Sequence, residues 1–120
     1  MDPVAREPEP ADAAYELVGD WPELPAGLTL GEAAGVAVDA QGRVYVFHRA
    51  GRGFDNEEPI GEPTVLVLDG ERGTVLARWG AGAFVVPHGI AVDPEGDVWL
   101  TDVGRNRVHR FRADGQPVLE

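Results

Sequence analysis

His88 stands in the run VVPHGIAVD, residues 85–93, with a proline before it and a glycine after it. The proline fixes one backbone angle and the glycine tolerates conformations that other residues resist, so the imidazole between them is presented on a defined backbone. A histidine held in this way offers a ring nitrogen to a metal, or it closes a hydrogen-bonded turn. The spacing leaves both readings open, because no second histidine stands at ligand spacing. Arg49 follows the run VYVFH, residues 44–48. Its guanidinium is a planar, permanently charged fork suited to a carboxylate; the alternative is a surface arginine paired with one of the many acids. His48 alternates with Phe47, which puts one of the two inward, and it is read as structural. His109 is read as an exposed strand residue. Asp39, Asp69, Asp93 and Asp102 end strands or open turns, where aspartate accepts hydrogen bonds from nearby backbone donors; that role is preferred to one as a catalytic acid.

A repeat must position these residues. GVAVDAQGRVYVFHR (35–49) aligns with GIAVDPEGDVWLTDV (89–103), and Val36 and Ile90 mark a period of 54 residues. Each copy has a glycine, a short run ending in Val-Asp, a turn containing glycine, and an alternating apolar strand. Alternation with period two is the mark of a strand with two unlike faces. TVLVLDGERG (64–73) supplies a third strand and turn after the first copy, and RVHRFRADGQ (107–116) holds that place after the second. TVLARWG (74–80) is a fourth strand, PVLE (117–120) begins another, and YELVGDWPELP (15–25) resembles the fourth strand of a preceding unit. Four short antiparallel strands per unit point to β-propeller blades, lengthened here by the loop AGRGFDNEEPIGEP (50–63). The alternative is a small sandwich or barrel. In a propeller, Trp21, Trp79 and Trp99 are expected to pack between blades.

At 120 residues the chain makes one small domain, and 16 glycines and 10 prolines suit turns and short strands. A propeller needs about four to eight blades. The chain encodes two, plus the strand borrowed from a preceding unit, so copies associate or the chain is a piece of a longer protein. The formal charge is −11, and all ten basic residues are arginine. That balance argues against a general nucleic-acid or anionic-membrane binder, and the arginines of GRNRVHRFR (104–112) are read as a solvated strand face. The absence of cysteine excludes disulfides and thiolate metal sites. Residues 1–14 are acidic and proline-rich and are expected to be disordered; residues 15–120 are expected to form the partial propeller. No apolar signal core or membrane-length stretch occurs, so the chain is expected to be soluble, either cytoplasmic or part of a protein whose export signal lies elsewhere.

The segments GVAVDAQGRVYVFHRAGRGF, TVLVLD and VPHGIAVDPEGDVWLTDVGRNRVHRF resemble the start of the peptidyl-α-hydroxyglycine α-amidating lyase family. The combination of FHR, a long loop and PHG in the next blade carries that resemblance more specifically than the general NHL-repeat pattern does. It covers residues 15–120. It implies an all-β, six-bladed propeller of NHL type that cleaves a C-terminal α-hydroxyglycine to a peptide amide and glyoxylate. It also implies that His88 is one of three histidine ligands of a catalytic zinc and that Arg49 is a catalytic residue near the substrate. A structural calcium would take the backbone carbonyls of Val36 and Ile90. The other two zinc histidines, a third calcium ligand and a catalytic tyrosine lie in later blades of the family; neither Tyr15 nor Tyr45 matches that tyrosine. The chain alone is therefore expected to lack lyase turnover, to bind zinc weakly and to need further blades for closure. Two other readings stand beside it. One is a non-enzymatic NHL-type module that binds a peptide or protein, and the other is a metal-dependent lactonase propeller.

Overall fold

In a computed structural model, the fold is described for residues 14–28, 30–53, 55 and 57–119. The expectation of disorder for residues 1–14 falls almost wholly outside these. Eight strands follow one another: β1 (Ala33–Val38), β2 (Val44–His48), β3 (Val65–Leu68), β4 (Val75–Trp79), β5 (Pro87–Val92), β6 (Val98–Asp102), β7 (Arg107–Phe111) and β8 (Pro117–Leu119). They form two separate four-stranded antiparallel sheets, ordered β1-β2-β3-β4 and β5-β6-β7-β8. Each sheet is a plain meander, as blades require, and Val36 and Ile90 lie on the innermost strands of different sheets. The segment GEAAGVAVDA becomes strand because its alternating half pairs with β2, Val36 opposite Val46 and Val38 opposite Val44.

The two sheets pack face to face through alternate side chains. Tyr45, Phe47, Val65, Val67 and Trp79 from the first meet Val98, Leu100 and Phe111 from the second. Phe84, in the connection between the sheets, is fully buried, with its ring edge-on to Phe47 at 4.8 Å and against His109 at 5.1 Å. Burying a side chain of that size contributes roughly 2–3 kcal/mol, so this one connecting residue does much to join the blades. His109 is therefore buried, contrary to the reading of an exposed strand residue: the β7 register places it opposite Leu100, on the face turned to the first blade.

On the other face of the first sheet, Val46, Leu66 and Leu68 are covered by Trp21, Leu24, Leu28 and Leu30. Residues 15–25 thus form no strand; this segment crosses the sheet as a strap, tied by the Glu23 N–H donating to the Gly73 carbonyl. A strand needs a neighbouring strand to pair with, and here the segment lies on a sheet face instead. Because both faces of the sheet are covered, Phe47 and His48 are both buried, where alternation pointed to one inward residue. Of the three tryptophans, Trp79 lies between the blades and donates to the Ala113 carbonyl. Trp21 belongs to the strap, and Trp99 lies on the outer side of the second blade beneath the Arg110 guanidinium. The arginine run is not simply solvated, since Arg110 and Arg112 pair with Asp97. Val36, Val38, Leu76 and Val108 remain more than half exposed on these sheets. No helix among the described residues is long and apolar enough to cross a membrane.

Candidate functional site

The candidate site lies where β2 ends and β5 begins. Strand β5 starts one residue before His88, and its register with β6 slips between Pro87 and Gly89. Pro87 pairs with Asp102 and Gly89 with Thr101, which leaves His88 as the extra residue of a bulge. A bulge re-aims the side chain it carries, and His88 is exposed accordingly. The same slip occurs in β1 between Ala33 and Gly35, so the bulge belongs to the repeat, while the histidine belongs to the second copy alone.

Arg49 reaches this point from the first blade. Its Nε donates to the Pro87 carbonyl at 2.9 Å, and its Nη1 meets Glu32 Oε1 at 2.8 Å. The guanidinium is nearly buried, whereas the Glu32 carboxylate is 69% exposed. Arg49 and the backbone of His88 are thus brought to one rim by consecutive blades. The innermost strands also approach there: a Cβ on Gly35 would lie 3.1 Å from Ile90 Cγ2 and 3.4 Å from the His88 carbonyl oxygen. Val36 and Ile90 therefore stand on adjacent strands of the two sheets.

Two buried polar side chains hold the rim. In the second blade the Asp102 carboxylate accepts from Val85 N–H at 2.8 Å and from Val86 and Gly104 N–H at 2.9 Å. In the first blade His48 Nδ1 accepts from Gly31 and Ala50 N–H, each at 3.2 Å. Burial pushes the His48 pKa down, with the Pro63 carbonyl and Glu62 acting in the opposite sense. The expectation that turn aspartates bind backbone donors is met at all four positions: Asp39, Asp69, Asp93 and Asp102 each accept at least one. Neither Glu32 nor the His48 and Asp102 correspondence stood out in the sequence, although the repeat alignment puts those two in the same column.

The opposite end of the sheets is concave. An open trough of about 1050 Å³ runs between the hairpin turns and includes Asp39, Arg43, Asp93, Asp97 and Arg112. Arg43 pairs there with Asp39 and Arg112 with Asp97, while Asp93, Glu95 and Asp114 leave the lining acidic on balance; the trough lies away from Arg49 and His88. Burial raises the Asp39 pKa, but hydrogen bonds from Arg43, Tyr45 and Gln41 outweigh it and hold the carboxyl below its usual range. The Trp99 indole, with Asp97 and Glu95 backbone donors, does the same for Asp93.

The donor set at the rim can be tested for a metal. Among the described residues no group of three or more His, Cys, Asp or Glu side chains converges. His88 supplies one imidazole, and a catalytic zinc takes three protein ligands, so these residues do not by themselves make that centre.

The NHL-repeat family model matches residues 84–111, the connection and first three strands of the second blade. Peptidyl-alpha-hydroxyglycine alpha-amidating lyase 2 of Drosophila melanogaster is 37% identical over 131 residues, covering 98% of this chain. The chain is homologous to the peptidyl-α-hydroxyglycine α-amidating lyases. Lyase 1 of the same organism is 39% identical over 121 residues, and peptidylglycine alpha-amidating monooxygenase of Rattus norvegicus is 35% identical over 119, each covering 88% of this chain. The chain spans 30%, 22% and 12% of the length of these three relatives, in that order. The two four-stranded sheets are thus blade-like units of an NHL-type, unclosed partial propeller.

Proposed function

We propose that this chain contributes the arginine and one histidine of a zinc-dependent peptidylamidoglycolate lyase site. The observation that carries this reading is the contact between Arg49 Nε and the Pro87 carbonyl, which sets a fixed cation beside the exposed His88. The substrate would be a peptide ending in α-hydroxyglycine. Its carboxylate suits the Arg49 fork, where the exposed Glu32 carboxylate now sits and would be exchanged. In the reaction the hydroxyl loses its proton, the C–O bond becomes a carbonyl, and the C–N electron pair passes to nitrogen, which is protonated to give the amide and glyoxylate. Bound zinc supplies Lewis-acid stabilisation of developing alkoxide charge. His88 would be one ligand, and the others would come from parts of the relatives that this chain does not span. A structural calcium would bind the carbonyls of Val36 and Ile90 on the adjacent inner strands. The missing blades would close the channel.

The test is glyoxylate release from an α-hydroxyglycine peptide, measured for this 120-residue chain and for a full-length protein that contains it. We expect no turnover and weak zinc binding from the chain alone. In the full-length protein, His88→Ala should abolish stoichiometric zinc, and Arg49→Ala should lower kcat/KM by about 100-fold. A second reading, a non-enzymatic peptide-binding NHL module, is supported by the NHL-repeat match over residues 84–111. Peptide binding by the full-length protein without glyoxylate release would select that reading.

A further inference from the structure

His48 is only 2% exposed, lies outside the donor set just described, and makes two side-chain hydrogen bonds that the chemistry does not require. Both partners are backbone N–H groups: Gly31, at the end of the strap, and Ala50, in the turn after β2. Glu32 follows the first partner in sequence, and Arg49 precedes the second. The Arg49 N–H also donates to the Glu32 carbonyl at 2.9 Å. The two segments that carry the ion pair therefore meet at one imidazole nitrogen. Their approach is close enough that a Cβ on Gly31 would run into the Ala50 and Gly51 backbone.

We propose that His48 is a positioning residue for Arg49: its neutral imidazole, accepting at Nδ1, pins the strap to the turn and so holds the guanidinium against Pro87. The functional weight of this rests on the reading of Arg49 above, but the latch itself does not. Two N–H groups can converge on Nδ1 only when that nitrogen carries no proton. The proton then sits on Nε2, which is buried and meets no acceptor in good hydrogen-bond geometry; the Pro63 carbonyl acts on the ring only as a nearby dipole. The second blade makes the same connection with a carboxylate, since Val85, Gly104 and Asp102 stand 54 residues beyond Gly31, Ala50 and His48. The backbone bond is repeated as well, Val103 N–H to Val86 carbonyl at 3.1 Å.

An imidazole latch is acid-sensitive in a way its carboxylate counterpart is not over the same range. Of the elements on this side, the 50–63 loop brings Glu62, the strap Glu32, and the end of β2 Arg49. Glu32 and Arg49 neutralise one another, and Glu62 favours the protonated ring. Burial is the larger influence and holds the His48 pKa below the usual histidine value, so the ring stays neutral into mildly acid solution; protonation below that point breaks the two Nδ1 hydrogen bonds and loosens Arg49.

The experiment uses the 120-residue chain labelled with ¹⁵N, with Val85 and Gly104 amides as internal references. Near neutral pH we expect His48 Nδ1 to show the ¹⁵N shift of an unprotonated nitrogen. Replacement by leucine, His48→Leu, should speed hydrogen exchange at Gly31, Ala50 and Arg49 Nε about tenfold relative to the references. His48→Asp, the side chain of the second copy, should restore protection and remove the loosening that the wild-type chain shows once the pH falls below the lowered His48 pKa. A protonated Nδ1, or a folded His48→Leu chain with Arg49 Nε exchange unchanged, overturns the proposal. If His48→Leu does not fold, His48→Asp decides: Arg49 Nε protection retained at the acid pH where the wild-type chain loses it supports the latch, and its loss there, or a wild-type chain that keeps it down to acid unfolding, refutes it. None of these measurements uses zinc or turnover, so their failure and the failure of the lyase reading are separable.

Discussion

The two blades solve one backbone problem with different side chains. Both bind the turn before the first strand to the turn after the second. The second blade uses a carboxylate with two oxygens and three N–H partners, and the first an imidazole with one nitrogen and two. At the other end of the same strands, Tyr45 donates to Asp39 at 3.0 Å where Trp99 donates to Asp93 at 2.9 Å. The rim differs as well: the first blade has Arg49 and Glu32 where the second has Val103 and Val86, and only the second has a histidine on its bulge. The repeat keeps its backbone geometry between the two copies while the side chains in matching columns differ.

That comparison breaks most visibly at the latches. Asp102→Ala strands three backbone donors and should cost about 3 kcal/mol or more, against about 2 kcal/mol for His48→Ala. Denaturant melts of the two variants measure the difference, and equal losses would mean that the extra oxygen contributes nothing. A smaller contrast lies at high pH. Burial first, and then the bond to Asp39, push the Tyr45 pKa from 10.0 to about 12. The folded chain then holds this proton more tightly than the unfolded chain. The associated stability is whole below pH 10 and is lost as the pH rises towards 12, a loss on the order of 2 kcal/mol. Trp99 has no such proton, so exchange protection should fall in β1 and β2 while β5 and β6 hold. A Tyr45→Trp chain should lose the effect. The smallest expected change is at Ala50, which sits at φ 50° where its counterpart is Gly104. Ala50→Gly should leave stability unchanged or raise it by up to about 1 kcal/mol, read from the thermal midpoint.

Much of the fold was legible because period-two alternation and glycine turns recur at a fixed spacing, which fixes strands and their pairing together; the bulges at the start of β1 and β5 were not read from it. The strap was not legible, because YELVGDWPELP has the composition of an edge strand, and only the apolar face of Val46, Leu66 and Leu68, which it buries, decides that it lies across the sheet. His109 was misplaced for a related reason: alternation assigns two faces but does not say which one meets a neighbour. At the site, Arg49 and His88 were visible as residue types in ordered contexts. Glu32 was not, since an exposed acid in an acidic chain carries no local signal until its partner's position is known. His48 was visible as buried structure, while its acceptor role emerged only from the two N–H groups that converge on it.

The meander order has a consequence for how the chain comes into being. Every hydrogen-bonded neighbour is also the neighbour in sequence. No strand has to wait for a distant partner, so loop-closure entropy is small at each step and contact order within a sheet is low. During synthesis the first sheet can assemble from Ala33–Trp79 before Pro87 leaves the ribosome. What it lacks at that moment is Phe84 and the face of the second sheet. The growing chain thus presents Tyr45, Phe47 and Val67 as a docking template on which the next blade is laid down, one hairpin at a time.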